Sequence, residues 1–321
     1  MNLLQQQARN RRRTWMVMTV FIAFLFALGY GFDLFYLGSP FPIAGLLALG
    51  VGTASAASGF FRGDRAVLAS SGAVPIDAAL ATASGPDGRL KLTQVDNVVE
   101  EMAIAAGLPK PAVYVIADPD PNAFATGRDP GHASIAVTEG LVNALTREEL
   151  QGVVAHEMSH VRNYDIRLMT IVAALVGAVV LLSDWGTRGM RFGGGRRGGR
   201  GRGGGGAGII LLVLWIVGII LAPIVGQMLA MMVSRQREYL ADASGAELTR
   251  NPQALASALQ KIESAAEPTQ SIKRGTANLC IADPLGRKVG LREGAVANLF
   301  ASHPPMASRI AALRAMAYQR A

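Results

Sequence analysis

Apolar and polar positions alternate along the chain on two length scales, and the coarser one divides it into four parts. Trp15 to Leu37 is apolar apart from Asp33, and after a Gly-Ser-Pro break a second apolar run covers Phe41 to Phe61. Each is about long enough to cross a ~30 Å hydrocarbon layer as a helix. A cleaved signal peptide does not fit, because the first run exceeds the usual signal core of roughly 7–15 residues and a second run follows at once. Arg62 to Asn163 is polar and is expected to fold outside the bilayer. A third apolar run covers Ile166 to Leu182 and a fourth Ile209 to Val233, with a Gly/Arg-dominated stretch, Arg188 to Gly208, between them. Ser234 to Ala321 returns to polar helical patterning. The expected organisation is therefore 1–61 (basic segment and two membrane helices), 62–163 (polar central domain), 164–233 (two further apolar helices) and 234–321 (the C-terminal part of that domain).

The finer periodicity predicts the elements of the polar parts. Leu92, Val95, Val98, Val99 and Met102 fall at helical spacing within Leu90 to Ala106, and Gly107 with Pro109 beyond ends that helix. Ala112 to Ile116 is a short β-prone run. Asn122 to Thr126 and Ser134 to Thr138 are two more, and Gly127, Asp129, Pro130 and Gly131 between them predict a hairpin. Thr146 is placed to cap a helix reaching about Arg162, with Glu149 at the capping-box position. The predicted fold is mainly α with a small antiparallel β-sheet, attached to transmembrane helices.

Composition agrees with a membrane chain: 321 residues, half of them hydrophobic and 17% charged. The single cysteine, Cys280, excludes an intramolecular disulfide. The net charge of +8 is concentrated in Arg9 to Arg13 and in the Arg188 to Arg202 stretch, both beside apolar runs. The stretch Arg196 to Arg202 lacks interleaved aromatic residues, so it reads as a charged loop and no nucleic-acid partner is expected. Arg9, Arg11, Arg12, Arg13, Arg62 and Arg65 place the polar central part in the cytoplasm by the positive-inside rule. The six arginines between runs three and four oppose that rule if both runs cross; a crossing hairpin is expected nonetheless.

His156-Glu157-Met158-Ser159-His160 puts two imidazoles one turn apart on one face of the predicted helix, where they can hold a single zinc ion. Glu157 is placed to act as general base on a water beside that ion. A third protein ligand is required. A glycine three residues past His160 and a histidine six past it are lacking, since Asn163 and Ile166 stand there, which excludes the metzincin arrangement. No glutamate or histidine lies between His160 and Arg237, so Glu238 is the first available ligand of the usual kind. The competing readings are a surface ion pair of Glu238 with Arg235 or Arg237, and Asp165 as ligand, whose helical position points it away from the ion. Asp242, four residues after Glu238, is placed to accept the free N–H of a ligating histidine.

This set, together with Ser302-His303-Pro304-Pro305 and Arg309-Ile310, resembles the HtpX family of bacterial membrane metalloproteases, relatives of the CaaX prenyl proteases. The likeness covers nearly the whole chain. It implies a zincin-like domain, one zinc ion per chain held by His156, His160 and Glu238, and a multi-pass protein of the bacterial inner membrane that cuts misfolded or damaged membrane proteins under stress. Asn122, Ala123, Phe124 and Ala125 are similar to the edge strand on which such peptidases hold extended protein substrates, although a plain hairpin strand gives the same pattern. His303 is expected either to stabilise the transition state or to fix the C-terminal segment. A selective processing peptidase and a non-proteolytic membrane scaffold are the alternatives. Oligomeric state is not legible.

Overall fold

The computed structural model describes residues 3–35, 38–175, 236–265, 271, 279–282 and 304–318. The expectations for His303, the Gly/Arg stretch, the fourth apolar run and the end of the third lie outside the described residues.

The first two apolar runs form the helices α1 (Leu3–Phe35) and α2 (Ile43–Ser70). Within them Gln7–Gly31 and Ile43–Ser70 are long and apolar enough to cross a membrane. Asp33, the one carboxylate in the first run, is buried at the turn, where its Oδ1 and Oδ2 accept the Ala44 and Gly45 backbone N–H groups at 2.9 and 2.8 Å. It thereby satisfies orphan donors of the α2 N-terminus. Helix α2 continues past Phe61 to Ser70, so the membrane helix grows directly into the polar part of the chain.

Beyond α2 come β1 (Val74–Pro75), α3 (Ile76–Thr82), α4 (Gly85–Ala106), β2 (Ala112–Ile116) and β3 (Ala123–Gly127). Next are β4 (Ala133–Thr138), α5 (Glu139–Ala144), α6 (Arg147–Arg162) and α7 (165–175). The described C-terminal elements are α8 (Gln236–Thr249), α9 (Pro252–Ser264) and α10 (Met306–Tyr318). Gly107, in the left-handed region at φ 65°, ends α4 as predicted. Thr146 and Glu149 form a reciprocal capping box at the start of α6.

The four strands are ordered β1-β2-β4-β3. The hairpin β3–β4 is antiparallel, with Phe124 opposite Ala136, but β2 and β4 pair in parallel, with Ala112 opposite Ser134. The expectation of a purely antiparallel sheet is thus corrected to a mixed one. The cause is that β4 returns between β2 and β3, which leaves β3 at the edge. Strand side chains alternate between two cores. Val113, Val115, Ile135 and Val137 face α4, α6, α9 and α10, whereas Ile116, Phe124 and Ala136 pack with Val67 and Leu68 of α2 and Met169 of α7. A third apolar cluster joins α1, α2 and α7 through Val17, Phe21, Ala56, Leu168 and Ile171.

Candidate metal centre

Helix α6 carries His156, Glu157 and His160 on a face that is buried from Leu150 to Val161 apart from the helix ends. Helix α8 lies across it. The approach is close because residue 245 is glycine: a Cβ there would stand 3.0 Å from the His156 backbone nitrogen. Glu238, Asp242 and Gly245 share one side of α8, so that contact delivers both carboxylates to the histidines.

The ligand atoms of His156, His160 and Glu238 lie within 4.8 Å of one another, all three residues being buried. The two Nε2 atoms are 3.3 Å apart, and each is 3.7 Å from a Glu238 oxygen. Each Nδ1 faces a different carboxylate: His156 Nδ1 is 3.0 Å from Asp242 Oδ1, and His160 Nδ1 is 3.2 Å from Asp165 Oδ2. With each Nδ1 held by a carboxylate, Nε2 is the nitrogen that each ring leaves facing the common point, where it binds a metal in its unprotonated form. Two imidazole nitrogens and a carboxylate converging on one buried point are the donor set of a divalent metal site.

Charge around this point is balanced in layers. Arg309 is fully buried and grips Asp242 with two bonds, Nε to Oδ2 at 2.8 Å and Nη2 to Oδ1 at 2.7 Å. Its Nη1 lies 3.5 Å from Glu238 Oε2 and donates to the Ile281 carbonyl at 3.0 Å. Burial works against the Asp242 carboxylate, but Arg309 outweighs it and holds Asp242 below its ordinary value. Burial likewise disfavours a charged His156, yet Asp242 and Glu238 push it up to about 9. The carboxylates of Glu238, Asp242 and Asp165 around the two imidazoles favour positive charge at this point. Both Glu157 oxygens are buried without a hydrogen-bond partner among the described residues. That burial, together with the charge of Glu238, raises the Glu157 carboxyl above its ordinary range, partly offset by the neighbouring histidines.

The structure thus brings together His156, Glu157, His160, Glu238 and Asp242. The edge-strand expectation for Asn122 to Ala125 is altered. Strand β3 is the edge of the sheet, yet its outer side is covered by the chain itself. Cys280 bridges Phe124, Ile281 N–H donates to the Ala123 carbonyl at 2.9 Å, and Asn122 Nδ2 reaches the Ala282 carbonyl at 3.4 Å. His132 is exposed, paired with Asp129 at 2.7 Å. Sequence reasoning assigned no part to Asp165 beyond a ligand reading it disfavoured, and none to Arg309. A buried arginine opposite a carboxylate gives no periodic signal, and Asp165 reaches His160 only through an irregular turn.

Residues 89–317 match the model of peptidase family M48. A protease HtpX homolog of Caldanaerobacter subterraneus subsp. tengcongensis is 44% identical over 98% of this chain and 98% of its own. Those of Thermoanaerobacter pseudethanolicus and Streptococcus gordonii are 42% and 38% identical, each over 98% of this chain and over 98% and 100% of their own. Among solved structures, S. mikatae Ste24p is similar over 97% of this chain and 67% of its own, with 19% identity and a TM-score of 0.49. The chain belongs to peptidase family M48 and is a metalloprotease of the HtpX type.

Proposed function

We propose that the chain is a zinc-dependent endopeptidase of the bacterial inner membrane, with its catalytic part in the cytoplasm, that cuts misfolded or damaged membrane proteins. The observation that carries this reading is the convergence of both Nε2 atoms and the Glu238 carboxylate beside an unpartnered, buried Glu157. His156, His160 and Glu238 would hold the metal, and two imidazoles with one carboxylate are a donor set of catalytic rather than structural zinc sites. When bound, the metal polarises the scissile carbonyl and acidifies the attacking water. Glu157 takes the water's proton and returns it to the leaving amine. Its raised carboxyl helps it hold the proton between the two transfers. Asp242 fixes the His156 ring, and Arg309 keeps Asp242 charged.

The substrate is a protein in extended form that adds its backbone to β3. It competes there with residues 279–282 for the Ala123 carbonyl. Backbone pairing reads few side chains, which suits a protease that must accept many damaged sequences. The cytoplasmic orientation is supported by the arginines at the start of α1 and by Gln7 and Asn10, which contact the end of α6 and so put the N-terminus on the metal centre's side.

The test is hydrolysis of unfolded membrane and soluble proteins by the purified full chain in detergent with zinc. Glu157→Gln is expected to retain one zinc per chain and lose activity by roughly 10²–10⁴-fold. Glu238→Ala is expected to lose the metal. Equal turnover by wild type and Glu157→Gln removes the base assignment, and a single sharp cleavage sequence across all substrates replaces quality control with selective processing.

A further inference from the structure

We propose that Asp165 and Asn10 are positioning residues for His160, so that the N-terminal membrane helix is itself a working part of the metal centre. This rests on the reading of His160 as a metal ligand.

The path from α1 to the imidazole is continuous and buried. Asn10 is 1% exposed and Asp165 1% exposed. Asn10 Nδ2 donates to Asp165 Oδ1 at 2.6 Å, and the other oxygen, Oδ2, faces His160 Nδ1 at 3.2 Å. Arg237 Nη1 also donates to Asp165 Oδ1, at 3.1 Å, from the residue next to Glu238. One carboxylate is therefore fixed from two helices and spends its second oxygen on the imidazole. A carboxylate on the outer nitrogen of a ligating histidine sets its tautomer, aims its ring and strengthens its donor lone pair.

Asp165 is only five residues past His160 and would point elsewhere on a continuing helix. It returns because the chain turns sharply: Tyr164 adopts φ 58°, in the left-handed region that costs a non-glycine residue roughly 1–2 kcal/mol. The turn is braced from outside. The Tyr164 ring lies under the Arg11 guanidinium at 4.4 Å and the Arg167 guanidinium at 5.2 Å. Helix α6 ends here with carbonyls that lack partners in their own helix. Gln7 Nε2 donates to the Arg162 carbonyl at 2.8 Å and Asn10 Nδ2 to the Asn163 carbonyl at 2.9 Å. Gln7, Asn10 and Arg11 fall at i, i+3 and i+4, a single face of α1. On that face Gln7 caps the end of α6, Arg11 braces the strained turn, and Asn10 is the residue that bonds the carboxylate behind His160. A helix serving only as a tether has no need of such a face.

The experiment measures zinc affinity of the full chain in detergent, by competition with a chromogenic chelator, alongside thermal unfolding of the metal-free protein and the visible spectrum of the cobalt(II) form. Asn10→Ala and Asp165→Asn are each expected to weaken zinc binding about 10–100-fold and to alter the cobalt spectrum. In the Asp165→Asn background, Asn10→Ala should add little further loss, the non-additivity expected of residues acting in series. Gln7→Ala, which removes a bond to the same corner but none to Asp165, should lower the unfolding temperature and leave zinc affinity unchanged. Asn10→Ser, which keeps a donor, should fall between wild type and Asn10→Ala and serves where the alanine variant does not fold. Wild-type affinity in Asp165→Asn, additive losses in the double variant, or equal weakening by Gln7→Ala overturns the proposal. His160→Ala must abolish high-affinity binding; if it does not, the ligand assignment has failed rather than the positioning role.

Discussion

Glu149 closes the capping box at the head of α6 and also ties that helix to α9. Its Oε2 accepts from Thr146 N–H at 2.8 Å and from Lys261 Nζ at 2.7 Å, and its Oε1 from Ser257 Oγ at 2.6 Å. Burial alone would raise this carboxyl, but those donors outweigh it and hold it below its ordinary value of 4.5. A lowered folded-state value means stability that is complete above the unfolded value and disappears as pH falls through the folded one. Glu149→Gln keeps an acceptor for the cap but loses the charge, so at neutral pH it is expected to cost about 1 kcal/mol. The gap between wild type and variant should close below pH 4.5. Unfolding of the metal-free proteins across pH checks this, and a gap that persists undiminished in acid would show that packing, not charge, is what the substitution removed. The capping box was legible because its partners are three residues apart, as was Asp242 from its spacing to Glu238. Asp165, Asn10 and Arg309 were not assigned these contacts. Asp165 needs the left-handed turn at Tyr164, and the others meet their partners across 155 and 67 positions of sequence.

Helix α8 brings Glu238 to the two histidines only because it can lie directly on α6. Leucine at 245 would put a branched side chain where a Cβ is already 3.0 Å from the His156 nitrogen and 3.3 Å from the Ala155 carbonyl carbon, both backbone atoms that cannot step aside. Gly245→Leu is expected to lift α8, draw Glu238 away from the histidines and reduce zinc content. Overpacking of this kind costs roughly 1–3 kcal/mol, which should also appear as a lower unfolding temperature. Zinc content and affinity matching wild type would mean that α8 is not placed by this contact. At this scale the helices and the β3–β4 hairpin were readable, since periodicity and turn residues are local signals. The parallel β2–β4 pairing was not, because Ala112 and Ser134 are partners only once the chain has folded. Strand β1, two residues long, carries no pattern at all. The cover of residues 279–282 over the β3 edge was equally illegible, as a four-residue stretch beside a lone cysteine announces no partner.

Glycines divide the membrane part into two regions with different consequences for the whole molecule. Small residues let membrane helices approach closely where no hydrophobic force drives them together. A Cβ at Gly29 would stand 2.5 Å from the Ala44 carbonyl oxygen, and this contact lies near the Asp33 turn, the end of α1 remote from Gln7 and Asn10. At the other end, a Cβ at Gly63 would stand 3.0 Å from Thr170 Cγ2 on α7. Thr170 matters to the soluble part: its Oγ1 accepts from Gly127 N–H at 3.0 Å and bonds Thr126 Oγ1 at 2.8 Å, which anchors the end of β3. Helix α7 also begins at Asp165, behind His160. Gly29→Val should therefore loosen the α1–α2 hairpin and lower the unfolding temperature while zinc affinity stays at the wild-type level. Gly63→Val should displace α7, disturb β3 and Asp165 together, and reduce both zinc affinity and hydrolysis of an unfolded substrate. Measuring the two variants side by side separates the functions of the hairpin's ends. Equal loss of zinc affinity in both would mean that the hairpin acts on the metal centre as one rigid body, with no distinction between its far end and the end that holds α7.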